Sequence, residues 1–259
     1  MAQVMKKYGI IYCGYNTQDY VLKSINPFLN RGNHIVSAVS VPFKEYKGID
    51  TLHDHTTDLL RELVEQKKLK YLVDSPQYVT EAEARNFALF YLKKYNVDYI
   101  WLVDSDEFYT DQDITKIEEY VESSNKNIFK ISLKNHVFDL DHYLEEPFCP
   151  PRIFKTSIND TLNLEGFYWD NDICYSEKKD IGSMISYEGI EELEIIPEDI
   201  AYIPHYTWLN DRIGKRKVEY QHRHFGHCSY KWNNEKHCIE FDESFYKKMN
   251  IPIPKVKKA

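Results

Sequence analysis

The stretch Tyr99-Ile100-Trp101-Leu102-Val103-Asp104-Ser105-Asp106-Glu107-Phe108 sets the strongest limit on what this chain can fold into. Five consecutive apolar or aromatic residues, of types that favour strands, run straight into three carboxylates within four positions, with no Gly or Pro between. An uninterrupted apolar run suits a strand covered by helices on both faces, as in a parallel α/β sheet, where ligands bind beyond the carboxyl ends of the strands. The acids therefore mark an expected active-site edge. Residues two apart in an extended chain share a face, so the spacing predicts Asp104 and Asp106 side by side, with Ser105 turned away. Two hard oxygen donors of this kind suit Mg²⁺ or Mn²⁺ carrying a phosphate.

The residues before this stretch alternate strand and helix patterns. Residues 9–13 read as a strand opening into Gly14-Tyr15-Asn16-Thr17, and helical spacing follows over 18–29. A strand at 35–41, a helix at 51–66 and a strand at 69–73 come next, the last closed by Asp74-Ser75-Pro76. Thr80-Glu81-Ala82-Glu83 has the form of a capping box and predicts a helix to about residue 94. This order is the signature of βαβ units, hence an α/β fold with a mostly parallel central sheet flanked by helices. From Asp111 the rhythm changes. A helix at 114–123 leads to a long strand at 128–138, then to turns rich in Pro, Gly, Asn and Asp up to about residue 204, and helical character returns over 208–223. The second half is expected to lay mixed sheet and loops over the carboxyl edge. No repeat, low-complexity tract or linker divides residues 1–259, which are read as a single domain.

The 259 residues, 42% of them hydrophobic, suffice for a sizeable core. A net charge of −8 and a pI near 5.7 exclude a basic nucleic-acid-binding face, while leaving room for a nucleotide held through a metal. The cysteines Cys13, Cys149, Cys174, Cys228 and Cys238 are odd in number and form no CxxC pair, which points to a reducing, cytoplasmic compartment. Lys6 and Lys7 precede an apolar run too short for a signal peptide, and no segment approaches the roughly 18 apolar residues of a transmembrane segment. The Lys255-Val256-Lys257-Lys258 tail offers peripheral contact with an anionic membrane, although anchoring usually takes a second signal.

Several short motifs, taken in order, carry a resemblance. The first strand ends in Tyr12-x-x-Tyr15-Asn16, a helix begins near Ala84-Arg85-Asn86, and Asp104-Ser105-Asp106-Glu107 closes an apolar strand. Pro151-Arg152-Ile153-Phe154-Lys155 and then Leu164-Glu165-Gly166-Phe167-Tyr168-Trp169-Asp170 follow, and His205-Tyr206 precedes a basic helix with Arg212, Lys215, Arg216 and Lys217. Together these residues resemble a GT-A-fold (Rossmann-like) glycosyltransferase of family 2 type, with its Asp-x-Asp metal motif. The later segments are similar to that family's Arg-x-Phe-Arg strand, Gly-x-x-His-Glu segment and late His-Tyr. The likeness spans about residues 8 to 220.

The resemblance implies transfer of a sugar from a UDP-, GDP- or dTDP-sugar to a hydroxyl of a glycan or glycoconjugate, usually with inversion. It divides the domain into a nucleotide-sugar half, about 1–110, and an acceptor half with a C-terminal extension, about 111–259. For the metal, Mn²⁺ or Mg²⁺, it implies Asp106, with Asp104 reaching the ribose or a metal-bound water and His205 as a third ligand; Glu107 supports the others. For the general base it implies Asp170, four residues after Gly166, where Trp169 and Asp170 replace the family's His and Glu; Asp172 and Glu188 are rivals. The nucleoside falls to Tyr12, Asn16 and Asp74, with Arg85 beside the phosphates or the acids. Each residue also has a plainer reading: Asn16 as a helix cap, Arg85 paired with Glu81 one turn away, His205 as a structural histidine. Three rival readings stay open at this point. One is nucleotidyl transfer to a sugar phosphate, although the opening strand lacks a Gly- and Lys/Arg-rich phosphate loop. A second is a non-catalytic carbohydrate- or nucleotide-sugar-binding module, which the 15% aromatic content would suit. The third is structural zinc at His222, His224, His227 and Cys228, with His237 and Cys238, in a spacing that fits no common finger.

Overall fold

The structure is a computed structural model and describes residues 5–49, 53–79, 81–145, 149–156, 167–170, 173–176, 193–225, 229–250 and 252–258. The first half follows the alternation read from the sequence. Strand β1 (Tyr8–Cys13) is buried throughout, and α1 (Gln18–Leu29) turns Val21, Ile25 and Phe28 inward at i, i+4 and i+7. Next come β2 (His34–Ser40), α2 (Thr56–Glu65), β3 (Tyr71–Asp74), α3 (Glu81–Leu92) and β4 (Tyr99–Asp104). Thr80, the first residue of the expected capping box, lies outside the described residues, as does the start of the expected 51–66 helix.

Helix α4 (Asp111–Ser123) begins with a capping box, in which the Thr110 hydroxyl accepts from the Asp113 N–H and the Asp113 carboxylate from the Thr110 N–H. The long strand expected at 128–138 is instead two short ones, β5 (Ile128–Lys130) and β6 (Leu133–Asn135), in different sheets. A register shift at Phe129/Lys130 ends the first pairing, and the Ser132 carbonyl then accepts from the Ile203 N–H of another segment. The chain continues through β7 (His142–Leu144), β8 (Pro151–Lys155), β9 (Phe167–Asp170), β10 (Ile173–Ser176), β11 (Leu193–Ile195) and β12 (Ile203–His205). It ends in α5 (Asp211–Phe225), the hairpin β13 (Tyr230–Asn233) and β14 (Cys238–Phe241), α6 (Glu243–Met249) and β15 (Val256–Lys258).

The main sheet has seven strands in the order β11-β5-β8-β4-β1-β2-β3. Its neighbours are parallel except where β8 runs antiparallel to β4 and β5. Register aligns Cys13 with Val39 and Asp104, and Ser40 with Asp74, so the carboxyl ends of β1 to β4 share one edge. Strand parity sorts the core. Tyr8, Ile10, Tyr12, Trp101 and Val103 pack with α1, α2 and α4, whereas Ile11, Ile100 and Leu102 pack with Ala84, Ala88 and Leu92 of α3. Residue 104 continues the face that looks at α3.

Two smaller pairings shape the second half. β12 lies parallel to β6, and β15 runs antiparallel to β7, so the basic tail is part of a sheet and Lys257 pairs with Glu145 at 2.9 Å. Among the described residues no helix is long and apolar enough to cross a membrane. The β13–β14 hairpin packs on α5 with Trp208, Val218 and Ile239 in a separate small core. Gly214 makes that approach close enough: a Cβ there would meet Trp232 Cζ3 at 2.2 Å. Gly→Ala in a helix ordinarily gains up to about 1 kcal/mol from propensity, but overpacking of this kind costs about 1–3 kcal/mol. Gly214→Ala is therefore expected to lower stability, read as a lower urea midpoint, and a raised midpoint would contradict the packing seen here.

Candidate active site

The carboxyl end of β4 holds a buried charge network. Because Asp104 continues the face toward α3, it meets Arg85 on that helix, whose Nη2 donates to both carboxylate oxygens at 3.0 and 3.2 Å. Arg152 of β8 donates from Nη2 to Asp104 Oδ2 at 3.1 Å, and from Nε to Glu107 Oε1 at 2.9 Å. Its Nη2 also contacts Glu107 Oε1. The Tyr109 hydroxyl donates to the other Glu107 oxygen at 3.0 Å. Arg85, Arg152 and Glu107 are at most 1% exposed. Burial pushes the Glu107 carboxyl upward, with Arg152 pulling it down and Asp104 adding to the rise. Arg85 thus serves the acids, Glu107 is the inner strut of the network, and the Glu81 side chain lies outside the described residues.

Asp106 has different partners. The extended conformation ends at Asp104, and a turn closed by the Glu107 N–H to the Asp104 carbonyl at 3.1 Å carries the chain round. The alternation that would set Asp104 beside Asp106 stops there, and the two carboxylates take separate surroundings. Residues 106–108 lie antiparallel to 204–206: the Tyr206 N–H donates to the Asp106 carbonyl at 2.9 Å and the Phe108 N–H to the Pro204 carbonyl at 3.0 Å. This clasp places His205 Nε2 3.3 Å from Asp106 Oδ2. The Thr207 hydroxyl donates to the same oxygen. Burial alone would raise the Asp106 carboxyl, but His205, Thr207 and Lys217 outweigh it and hold the group well below the usual carboxylate range. Burial lowers His205, yet the charge and hydrogen bond of Asp106, with Glu107, leave it raised. Its Nδ1 lies 2.5 Å from Asn135 Oδ1, which fixes the ring with Nε2 toward Asp106.

Beyond the ends of β2 and β3 lies a cleft of about 420 Å³, lined by residues of the β1–α1 turn, α2 and the β3 end. Asp74 lines it and accepts from Arg61 Nε at 2.7 Å. Helix α5 braces the rim: Arg212 pairs with Asp54 at 2.6 Å and Arg216 Nη1 donates to the Tyr15 carbonyl at 3.1 Å. Two expected nucleoside residues do not reach the cleft. Tyr12 sits on the α1 face of the sheet, fully buried, with its hydroxyl 2.7 Å from Ser24 Oγ and donating to the Val21 carbonyl. Asn16 is buried in the left-handed region, φ 56°, where its Oδ1 accepts from the Asp54 N–H at 3.1 Å. It ties the β1–α1 turn to the loop before α2, and the N-cap of α1 is Thr17 rather than Asn16.

Asp170 is the last residue of β9, opposite Ile173 in the β9–β10 hairpin, and its side chain lies outside the description, as do Asp172 and Glu188. Of the histidine and cysteine cluster, His222 is exposed on α5, His237 Nδ1 lies 2.5 Å from Asp211, and Cys238 is buried in β14. The His224 side chain, His227 and Cys228 are outside the described residues. Among the described residues no three His, Cys, Asp or Glu side chains are gathered around one point. Sequence reasoning missed Arg61, Asn135 and Thr207 as partners of the site. The Pro151-Arg152-Ile153-Phe154-Lys155 motif held the signal for Arg152, a charge inside an otherwise apolar strand.

Comparison with known proteins adds to this geometry. The model of the family described as "Glycosyl transferase family 2" matches residues 10–174. No curated protein sequence matches the chain. S. aureus TarS is structurally similar, with a TM-score of 0.51 at 14% identity over 84% of this chain and 38% of that one. TarS 1–349 in complex with UDP-GlcNAc gives 0.50 at 13% identity over 84% and 65%. The mannosyltransferase PcManGT from Pyrobaculum calidifontis, in complex with GDP-Man and Mn²⁺, gives 0.51 at 12% identity over 87% and 66%. The chain thus spans less than two thirds of these solved relatives, and at such identities the likeness shows a shared fold.

The buried network makes a direct prediction. Glu107→Leu leaves the Arg152 guanidinium short of a partner in a site closed to water and is expected to cost about 3–5 kcal/mol in chemical denaturation. Arg152→Met added to Glu107→Leu is expected to recover part of that loss, because the orphaned charge goes too. Strictly additive losses would show that the two side chains are not coupled.

Proposed function

The chain belongs to glycosyl transferase family 2, and from that premise we propose that it is a metal-dependent, inverting glycosyltransferase that moves a sugar from a nucleotide-sugar donor to an acceptor hydroxyl of a glycan or glycoconjugate. The observation that carries the reading is Asp106: a carboxylate held ionised at the end of β4, with His205 Nε2 3.3 Å away. The solved relatives with UDP-GlcNAc and with GDP-Man and Mn²⁺ support the donor class and a divalent cation.

The donor set fits such an ion. One carboxylate and one imidazole nitrogen face each other, Asn135 orients the ring from its far side, and Nε2, now 3.1 Å from the Thr207 hydroxyl, would act as a ligand when the imidazole is neutral and that contact is given up. Asp106 and His205 would hold Mn²⁺ or Mg²⁺, which when bound supplies positive charge to the departing diphosphate. Asp104 is already gripped by two guanidiniums, which suits it to orienting the ribose or a metal-bound water rather than to closing a coordination shell. The cleft lined by Asp74 takes the nucleoside, residues 1–110 form the donor half, and residues 111–259 form the acceptor half.

In the reaction the acceptor oxygen attacks the anomeric carbon while the bond from that carbon to the diphosphate oxygen breaks. The acceptor proton passes to the Asp170 carboxylate, the base that the family pattern supports, and inversion follows from attack opposite the leaving group. Lys217 on α5, whose charge acts on Asp106 and His205, adds to the positive field around the leaving diphosphate. The odd number of cysteines, with no CxxC pair, supports a reducing, cytoplasmic setting.

Two measurements test this. UDP or GDP is expected to raise the thermal midpoint in the presence of Mn²⁺, and Asp106→Ala to abolish the rise; an unchanged shift in the variant would remove Asp106 from the metal. Asp170→Asn is expected to leave donor binding intact and to slow transfer by about 10²- to 10⁴-fold. Undiminished transfer would move the base elsewhere.

A further inference from the structure

Helix α3 is apolar on two faces. Ala84, Ala88 and Leu92 are buried against the sheet, whereas Phe87 and Phe90 on the outer face stay 48% and 60% exposed. The outer stripe continues through Tyr91 and Lys94, one and two turns on from Phe87. Tyr71, the first residue of β3, stacks on Tyr91 at 4.5 Å between ring centroids, and Tyr95 meets Tyr71 edge-on at 6.1 Å. The Lys94 ammonium lies 5.6, 5.2 and 6.0 Å from the ring centres of Phe90, Tyr91 and Tyr71. This stack brings two runs of lysine together: Lys67, Lys68 and Lys70 in the turn that enters β3, and Lys93 and Lys94 in the turn that ends α3. All five are exposed, and none forms an ion pair among the described residues. Of the carboxylates nearest in sequence, Asp74 is held by Arg61 at 2.7 Å and Asp98 by Lys6 at 3.1 Å, which leaves Glu65.

We propose that this face docks on an anionic lipid membrane, with Phe87 and Phe90 set into the acyl boundary and the lysines against the headgroups. A chain of net charge −8 carries five lysines here, within the range of about four to eight that draws a protein to acidic lipids. Charge alone would suit any polyanion. The two phenylalanines favour the membrane, because they have no hydrogen-bonding atom and gain by leaving water only where an apolar phase receives them. Aromatic rings beside lysines are also the composition of a helix that lies in a membrane interface. Apolar insertion and charge supply the two signals that stable anchoring takes. The C-terminal tail is weaker on both counts, since its strand is paired with β7 and Lys257 is engaged by Glu145. Tyr71 starts β3 and residues 93–95 lead into β4, so the lysines sit at the amino edge of the sheet, the far edge from Asp106. The docking face is thus distinct from the site at the carboxyl ends and does not depend on the chemistry done there.

Flotation of the full chain with vesicles of phosphatidylcholine, alone or with about 30% phosphatidylglycerol, tests the assignment. Binding to the acidic vesicles is expected to be on the order of 10-fold tighter or more, and to weaken as salt is raised. Phe87→Ser with Phe90→Ser changes only exposed side chains, so it is expected to keep the thermal midpoint and to weaken acidic-vesicle binding on the order of 10- to 100-fold. Lys67→Gln, Lys68→Gln, Lys70→Gln and Lys93→Gln together are expected to bring the acidic vesicles to within about threefold of the neutral ones. Lys257→Gln with Lys258→Gln is expected to bind like the unaltered chain. Equal binding to the two vesicles, or binding to neither, would overturn membrane docking. Loss of binding in the tail variant, with the α3 and lysine variants unaffected, would move the contact to the tail and overturn this face. Binding to soluble heparin by a protein that ignores both vesicles would assign the lysines to a polyanion in place of lipid.

Discussion

The fork of Arg152 between Asp104 and Glu107 is the interaction on which the rest of the site depends. It joins β8, the one antiparallel strand of the main sheet, to the end of β4 and to the turn beyond it. Two carboxylates and two guanidiniums, counting Arg85 of α3, lie together there, almost wholly out of water. Such a group is stable only if its charges balance and its hydrogen bonds are made, because each ion gives up several kcal/mol of hydration. Two against two meets the first condition, and the fork geometry of arginine goes toward the second through the bonds of Arg85 and Arg152 to Asp104 and Glu107. A lysine at 152 could not span both acids with fixed directions. The network therefore fixes where β4 ends and which way the next residues turn.

From that fixed turn the second half of the chain is positioned. Residues 106–108 pair with 204–206, which brings His205 and Thr207 to Asp106, and the Tyr20 hydroxyl donates to the Tyr206 carbonyl at 3.1 Å from α1. Phe108 and Tyr206 stack at 4.5 Å between ring centroids on the same clasp. Helix α5 follows directly and returns to the first half of the chain, where Arg212 and Arg216 reach Asp54 and the Tyr15 carbonyl. The basic helix that follows His205-Tyr206 is thus a strap between the two halves of the chain. Its positive ends are used on the loops that line the cleft.

What could be read from the sequence was governed by local rules. The five-residue apolar run predicts a doubly covered strand, and β4 is one; helical spacing over 18–29 matches α1 because its apolar stripe and its end both lie in those residues. The late His-Tyr and the acids of 104–107 are also visible as types in order. The failures have a common cause, which is that a strand pattern says nothing about where a strand stops or which face it shows. Tyr12 has the right type and position for a cleft residue, but its parity turns it toward α1. The 128–138 run keeps its strand-like composition across Ile131 and Ser132, where the chain leaves one sheet for another. Arg61 lies on a helix face like any solvated arginine, and only the long-range pairing of β2 with β3 sets Asp74 beside it.

Asp106 and Glu107 show how one residue of separation yields two chemistries. Both are carboxylates in the same turn and both are shielded from bulk water. Glu107 points inward, where burial is the largest influence and drives its proton affinity up despite Arg152. Asp106 turns instead to the segment 204–207, where burial acts in the same sense but is overcome by His205, Thr207 and Lys217. The difference lies in what each group leaves unmatched. The two arginines balance Asp104 and Glu107 in full, so no charge remains there to recruit a ligand. At Asp106 the balancing group is an imidazole rather than a guanidinium, so its charge is lost on deprotonation, and with a neutral His205 the Asp106 carboxylate keeps a net negative charge. It is this charge that would meet the cation of the proposed reaction, whereas the inner network, balanced by its two arginines, would offer it none.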